Sequence, residues 1–357
     1  LGDSNGAIKI LKKALQISDN KDEIYYQIGL AYQADKKFKK ASKYFKKAIE
    51  CNLNHENALY DLAYCLEITG ELENSIEYYK KFIDEDPYSE YAWFNLGNIY
   101  MKLDQFENAV EAFEYSIAID EEYSSAYINI SDALIKLEKF DQAKKYLDRS
   151  LSLDGPSPEI YSCLGNVNFY LEDYSTSISF YQKSIKIDQM FKESYFGLGR
   201  SLSKLDKWFE AIHFFKKAYK IDNKNIEYVK SLAYAEFKVG NLVSSIDLYS
   251  KAVEMQPDDY KLSLDFSLIY YESGDIDKAI DIIDQAIEES PGESLLYYRL
   301  VIYLMDAGRY KESINVLESA LSLNFDNHDV LFDFVPNFES QSALIRVINQ
   351  FKNSGNR

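Results

Sequence analysis

The stretch DEIYYQIGLAYQADKKFKKASKYFKKAIECNLNH, residues 22–55, sets a ruler for the rest of the chain. Gly29 is its mark. Steps of 34 residues from Gly29 land on Ala63, Gly97, Ser131, Gly165, Gly199, Ala233, Ser267 and Val301, and eight of these nine side chains are small. Ala41 recurs as Ser75, Ala109, Ala143, Ser177, Ala211, Ser245, Ala279 and Ser313, all small. Four residues further the side chain is bulky: Phe45, Tyr79, Phe113, Leu147, Tyr181, Phe215, Tyr249, Ile283 and Leu317. No insertion or deletion breaks the phase over nine units. A fixed period of this size marks stacked repeats, each of which buries its apolar face only against its neighbours.

Each unit reads as two helices. In the first, helix A spans about Asp22 to Ala34 and helix B about Phe38 to Cys51. Apolar spacings of three and four place one stripe on each helix. Gly29 and Ala41 let the two backbones approach, and Tyr25, Ile28, Tyr32 and Phe45 fill the remaining space. The turn between A and B carries glycine or a polar residue, as at Gly70, Asp104, Glu138, Glu172, Asp206, Gly240, Gly274 and Gly308. Two residues later stands an apolar anchor, from Phe38 and Leu72 through Trp208 to Tyr310. Asp86-Pro87, Gln256-Pro257, Ser290-Pro291 and Asp154-Gly155-Pro156 end B helices, because proline does not continue a helix. Asn168 and Glu236 stand where Tyr32, Tyr100 and Tyr270 stand in other units. They are expected to be half exposed, since an unpaired buried polar group is costly.

The ends depart from the period. Residues 1–21 read as half a unit, a B helix from Asn5 to Ile17 with Ala7, Leu11 and Ala14 in phase, and the natural chain is expected to extend N-terminally with more repeats. At the other end Val330 to Val335 starts like an A helix and Pro336 stops it. An amphipathic helix, about Glu339 to Phe351, is expected to cap the open apolar face of the stack. A docking helix for a partner is the alternative. The tail from Lys352 to Arg357 is expected to be disordered.

Composition narrows the function. Six prolines and fourteen glycines leave little room for long linkers. Cys51, Cys65 and Cys163 form neither a C-x-x-C pair nor an even framework, which points to a reducing compartment, the cytoplasm. No run of about 18 apolar residues and no signal peptide is visible. The net charge of −18 is unevenly spread: +5 over residues 1–50, −15 over 51–135, +3 over 136–251 and −11 over 252–357. Such a chain repels phosphate backbones, so nucleic acid is a poor partner. The acidic zones suit basic peptides or basic protein surfaces, and they equally serve to keep a long stack soluble.

The pattern resembles the tetratricopeptide repeat (TPR) family. Of that family's signature of Trp, Leu, Gly, Tyr, Ala, Phe, Ala and Pro, the third unit shows Trp93, Leu96, Gly97, Tyr100, Ala109 and Phe113, departing at Ser116 and Glu121. The second unit supplies Pro87 but has Phe82 where Ala is usual. The resemblance covers residues 1 to about 327. It implies an all-α, right-handed superhelical solenoid of antiparallel helix pairs. Its nine units are 22–55, 56–89, 90–123, 124–157, 158–191, 192–225, 226–259, 260–293 and 294–327, followed by divergent capping helices at 328–357. Residue usage rich in Lys, Ile, Tyr and Asp is similar to that of tetratricopeptide proteins of AT-rich bacteria such as the Bacteroidota.

The resemblance further implies a concave groove lined by helix A, usually occupied by an extended peptide or a partner helix. Counting Asp22 as position 1, the groove positions 5, 9 and 13 give the candidate residues Phe94 and Phe196; Tyr64, Asn98, Asp132, Asn166, Arg200 and Tyr234; and Lys102, Lys136, Lys204 and Lys238. Asn98, Asp132, Asn166 and Arg200 would form a peptide-reading stripe, with amides pairing to a ligand backbone and aromatics supplying apolar area. The other reading is a set of solvated polar positions on an exposed face. The family's clamp for a C-terminal carboxylate matches only at Lys230 and Arg299. Tyr234, Asp265 and Leu295 occupy the other three positions, and Asp265 would repel a carboxylate.

Catalytic readings find little support. His55, His213 and His328 build no cluster, and no cofactor or metal is implied. Gly197-Leu-Gly199 lacks the third glycine and preceding strand of a dinucleotide loop. Asn129-Ile-Ser131, a glycosylation match, falls mid-helix. Cys163, at a groove position, has no activating base in view. The reading is a non-catalytic interaction scaffold or adaptor that binds a segment of another protein. Two alternatives stay open: the substrate-recruiting arm of a larger enzyme, as in tetratricopeptide-containing glycosyltransferases, and a self-associating assembly subunit.

Overall fold

The structure, a computed structural model, describes residues 4–334 and 342–353, and they form helices and connecting turns only. The chain divides into two compact units, Leu1–Asp188 and Gln189–Arg357. The first holds α1 (Ser4–Ala14), α2 (Lys21–Ala34), α3 (Phe38–Cys51), α4 (Glu56–Thr69), α5 (Leu72–Glu85), α6 (Glu90–Lys102), α7 (Phe106–Ile119), α8 (Ser124–Lys136), α9 (Phe140–Asp154), α10 (Pro158–Tyr170) and α11 (Tyr174–Ile187). The second holds α12 (Lys192–Lys204), α13 (Trp208–Ile221), α14 (Ile226–Lys238), α15 (Leu242–Met255), α16 (Tyr260–Glu272), α17 (Ile276–Glu289), α18 (Ser294–Asp306), α19 (Tyr310–Leu323), a 3-10 turn (Phe325–Asp329), α20 (Val330–Phe334) and α21 (Ser342–Asn353). Even-numbered helices from α2 to α18 are the A helices and odd-numbered ones from α3 to α19 the B helices.

One contact explains the small residues at the ruler position. A Cβ built on Gly97, Gly165 or Gly199 would lie 2.5–2.6 Å from a ring carbon of Phe113, Tyr181 or Phe215, sixteen residues on in the facing B helix. The ring occupies the space where a side chain would start. The chain obeys the same trade throughout. Where the later residue is aromatic the earlier one is Gly or Ala, and where it is Leu147, Ile283 or Leu317 the earlier one is Ser131, Ser267 or Val301. Volume is conserved pair by pair, as close packing requires. Where serine replaces alanine in B helices, Ser75 Oγ donates to the Ala63 carbonyl at 2.7 Å and Ser177 Oγ to that of Gly165 at 2.8 Å, whereas the buried Ser245 Oγ has no hydrogen-bond partner among the described residues.

The turn position has a second rule. Lys36, Gly70, Asp104, Glu138, Glu172, Asp206, Gly240, Gly274 and Gly308 all have φ between 55° and 85°. This left-handed residue ends the A helix and aims the chain into the B helix two residues later. Glycine adopts it without strain, whereas the five charged residues carry a Cβ against the backbone.

Three expectations need correction. First, α1 ends at Ala14, and the bonds Gln16 N to Lys13 O and Ile17 N to Ala14 O tighten its exit into a turn. Second, Asn168 and Glu236 are 3% and 1% exposed rather than half exposed. Asn168 Nδ2 donates to the Leu164 carbonyl at 2.7 Å. Glu236 Oε2 accepts from Asn241 Nδ2 at 2.6 Å, and Lys216 Nζ lies 2.6 Å from Oε1. Burial pushes the Glu236 carboxyl up, but the Lys216 ammonium and the Asn241 amide outweigh it and hold it below the ordinary carboxylate range. Local partners make both burials tolerable. Third, the final described helix begins at Ser342 and runs to Asn353. Pro336 and the start predicted at Glu339 lie outside the described residues, as do 354–357 of the tail. Leu344 and Ile348 of α21 are buried in the same apolar cluster as Leu317 and Leu321 of α19.

Candidate functional site

In the first unit the A-helix face carries a series of lateral bonds, each joining one A helix to the next. Tyr26 Oη and Gln33 Nε2 of α2 donate to Asp61 of α4 at 3.0 and 3.3 Å. Asn95 Nδ2 of α6 donates to Tyr60 Oη of α4 at 2.9 Å, and Lys102 Nζ of α6 lies 2.6 Å from Glu67 Oε1 of α4. Asn129 Nδ2 of α8 donates to Asn98 Oδ1 of α6 at 2.7 Å. Cys163 Sγ of α10 donates to Asp132 Oδ1 of α8 at 3.8 Å, the long reach of a thiol.

These bonds change the meaning of the predicted stripe. Asn98 and Asn166 are partly buried, and each spends its carbonyl on the protein, Asn98 on Asn129 and Asn166 on the Tyr181 hydroxyl at 2.7 Å. Their amide groups keep donors for a ligand backbone. Phe94 packs edge-on against Tyr123 with ring centroids 4.9 Å apart, and Tyr64 meets Phe38 at 6.3 Å. Lys102 is tied to Glu67, while Lys136 is exposed. Burial raises the Asp132 carboxyl to about 6, against the opposing effects of the Cys163 thiol and the Lys136 ammonium. Burial, and then the Asp132 charge, push the Cys163 thiol far up, so it carries no thiolate at neutral pH.

Sequence reading missed the donors Asn95 and Asn129 and the acceptor Asp61. The signal was present. The bonded pairs lie 28, 31 or 35 residues apart, one period less six or three residues or plus one, so polar residues at those offsets face each other on adjacent A helices.

In the second unit the A-helix face opens a pocket of about 560 Å³. Arg200 and Lys204 of α12, Lys230 and Tyr234 of α14 and Asp265 of α16 line it, with Trp208 of α13. Trp208 meets Tyr234 edge-on at 5.6 Å, and Lys238 Nζ sits 5.2 Å from the Tyr234 ring centroid. The Arg200 guanidinium lies 5.8 Å over Phe196, which also packs on Tyr228 at 4.8 Å. Predicted residues Arg200, Lys204 and Tyr234 thus share one pocket, with Phe196 and Lys238 at their flanks. Its aromatic wall suits an apolar or aromatic side chain, and its mixed charges suit a polar backbone beside it. Arg299, a partial match to the carboxylate clamp, stacks 3.8 Å from the Phe334 ring and reaches Tyr303 Oη at 3.3 Å. Lys230 lies 3.6 Å from Glu227.

The described residues contain no group of three or more metal-ligating side chains. No helix among them is long and apolar enough to cross a membrane.

Family models described as tetratricopeptide repeat match residues 26–90, 90–123, 124–156, 192–225, 236–302 and 295–327, well over half of the chain. No curated protein matches it. Among solved structures, that of MamA protein is 24% identical with a TM-score of 0.42, covering 48% of this chain and 94% of its own. That of YrrB, a TPR protein with an unusual peptide-binding site, is 18% identical with a TM-score of 0.38, covering 52% and 95%. Helix pairs that recur every 34 residues, a ring packed over each small residue and family matches along the chain lead to one conclusion: this protein belongs to the tetratricopeptide repeat family, a fold of protein-interaction scaffolds.

Proposed function

We propose that this protein is a non-catalytic scaffold that holds an extended segment or a helix of another protein on its A-helix face. The observation that carries this reading is the pocket formed by Arg200, Lys204, Trp208, Lys230, Tyr234 and Asp265. It combines an aromatic anchor with both signs of charge, the composition of an interface hot spot. In the first unit the amides of Asn98 and Asn166 add backbone-reading donors beside Phe94 and Tyr64. The −15 charge of residues 51–135 steers basic surfaces toward that unit.

The same reading treats residues 22–327 as nine repeats, 1–21 as half of another and 328–357 as a terminal cap. It places the protein in a reducing compartment, the cytoplasm, in keeping with free Cys51, Cys65 and Cys163.

The test is a selection of random twelve-residue peptides against the whole chain, followed by affinity measurements on variants. Tyr234→Ala and Arg200→Ala should each weaken a peptide that engages the second unit by about tenfold or more. Asn166→Ala should do the same to one that engages the first. Selected peptides whose affinity ignores all three substitutions would defeat the groove reading.

A further inference from the structure

Asp132 differs from the other acids on the A-helix face of its unit. Asp61 accepts from the Tyr26 hydroxyl and the Gln33 amide, and Glu67 holds the Lys102 ammonium. Among the described residues Asp132 accepts a single hydrogen bond, from a thiol 3.8 Å away, and no cation lies within ion-pair distance of it. An ionised carboxylate binds several strong donors in water, and a thiol is a weak replacement. Its second oxygen is therefore available to a donor from outside.

The surroundings select the kind of donor. Asn98 and Asn166 occupy the same repeat position on the preceding and following A helices, with their carbonyls engaged and their amides available. Around them the chain is short of positive charge. Residues 51–135 contain three lysines against eighteen acids. Lys81 and Lys102 pair with Glu77 and Glu67, and Lys80 lies 6.0 Å over the Tyr100 ring. Lys136, one turn beyond Asp132 on α8, is exposed and stands outside ion-pair distance. A same-helix pairing of that kind is weak.

We propose that Asp132 seats a lysine or arginine side chain of the partner segment, while Asn98 and Asn166 hold that segment's backbone on either side. This rests on the A-helix face being the partner groove. The ammonium or guanidinium group supplies the strong donors that Cys163 lacks, and a partly desolvated pair of this kind is worth more than a rim contact. The occupant is thus a basic stretch of another protein, attracted by the field of residues 51–135 and fixed in register by one charge.

The experiment uses the whole chain and pools of capped nine-residue peptides whose centre residue is fixed as Lys, Arg, norleucine or Glu and whose other positions are random. Lys and Arg pools should bind at least about tenfold more tightly than the norleucine pool, and the Glu pool most weakly. Asp132→Asn keeps the shape and the thiol hydrogen bond, and its fold is checked by circular dichroism melting. It should abolish the Lys and Arg advantage, whereas Asn166→Ala should weaken Lys and norleucine pools alike. Equal binding of Lys and norleucine pools, or an advantage that survives Asp132→Asn, would overturn the proposal and leave the groove reading in place. Failure of every pool to bind would overturn both.

Discussion

Gly165 and Tyr181 compete for one space. A Cβ on Gly165 would stand 2.6 Å from Cε1 of the Tyr181 ring, and the hydroxyl of that ring donates to Asn166 Oδ1 at 2.7 Å. The contact that closes α10 against α11 therefore also holds the Asn166 amide in place. Gly165→Ala should destabilise the chain by about 1–3 kcal/mol, because the ring has to shift in a packed core. Adding Tyr181→Leu, the pairing that Ser131 and Leu147 already use, should recover a large part of the loss. Urea denaturation of the single and double variants checks this.

The left-handed turn gives a prediction of opposite sign. Glu172 has φ of 60° between α10 and α11, where four other units have glycine. Glu172→Gly should stabilise by about 0.5–1 kcal/mol, the relief of Cβ strain exceeding the added chain entropy. Gly274→Ala should cost about 1 kcal/mol for the same reason. The comparison is between melting temperatures.

Glu236 and Lys216 form an ion pair with one buried and one half-exposed partner. Lys216→Met leaves the carboxylate with Asn241 alone and should cost about 1–3 kcal/mol at neutral pH. The folded state holds the Glu236 carboxyl below its ordinary value of 4.5, so it binds its proton less tightly than the unfolded chain does. The contribution is complete above that ordinary value and is lost as pH falls through the lower folded value. The stability gap between wild type and Lys216→Met should therefore narrow between pH 7 and pH 3. Replacing the pair by Glu236→Tyr with Lys216→Met, which restores the ring found at Tyr32, Tyr100 and Tyr270, should recover stability.

Asp132 runs the other way. Its folded-state carboxyl is raised from 3.8 to about 6, so the ionised form costs stability at neutral pH. That cost fades as pH falls from about 6 to about 4, because the folded protein takes up the proton first. Asp132→Asn should raise stability at pH 7 by up to about 2 kcal/mol and leave it unchanged at pH 3. A gain of equal size at both pH values would show that charge is not its source.

Much of this was legible in the chain. The 34-residue phase located the apolar anchors that open the B helices, from Phe38 to Tyr310, and the proline stops that close several of them. Phase places Arg200, Lys204 and Tyr234 on consecutive A helices, and they line one pocket. The trade between Gly165 and Tyr181 is not visible along either repeat column alone, because packing acts between columns. Asn168 and Glu236 are buried against expectation because a polar side chain is tolerated inside wherever a partner stands within reach. Asn241, five residues after Glu236, and Lys216, twenty before it, were the partners to look for. The lateral bonds on the A-helix face depend on offsets of 28, 31 and 35 residues, which a single-unit view does not display.

The central claim is that the A-helix face holds the partner, and photo-cross-linking tests it most directly. Benzoylphenylalanine is placed at Tyr234 on that face, or at Phe209, an exposed residue of helix α13 outside the pocket. Each labelled chain is irradiated with a selected peptide whose affinity falls in Tyr234-flanking variants such as Arg200→Ala. The account predicts a cross-link from position 234 and none from position 209. A cross-link from position 209 with none from 234 would contradict it.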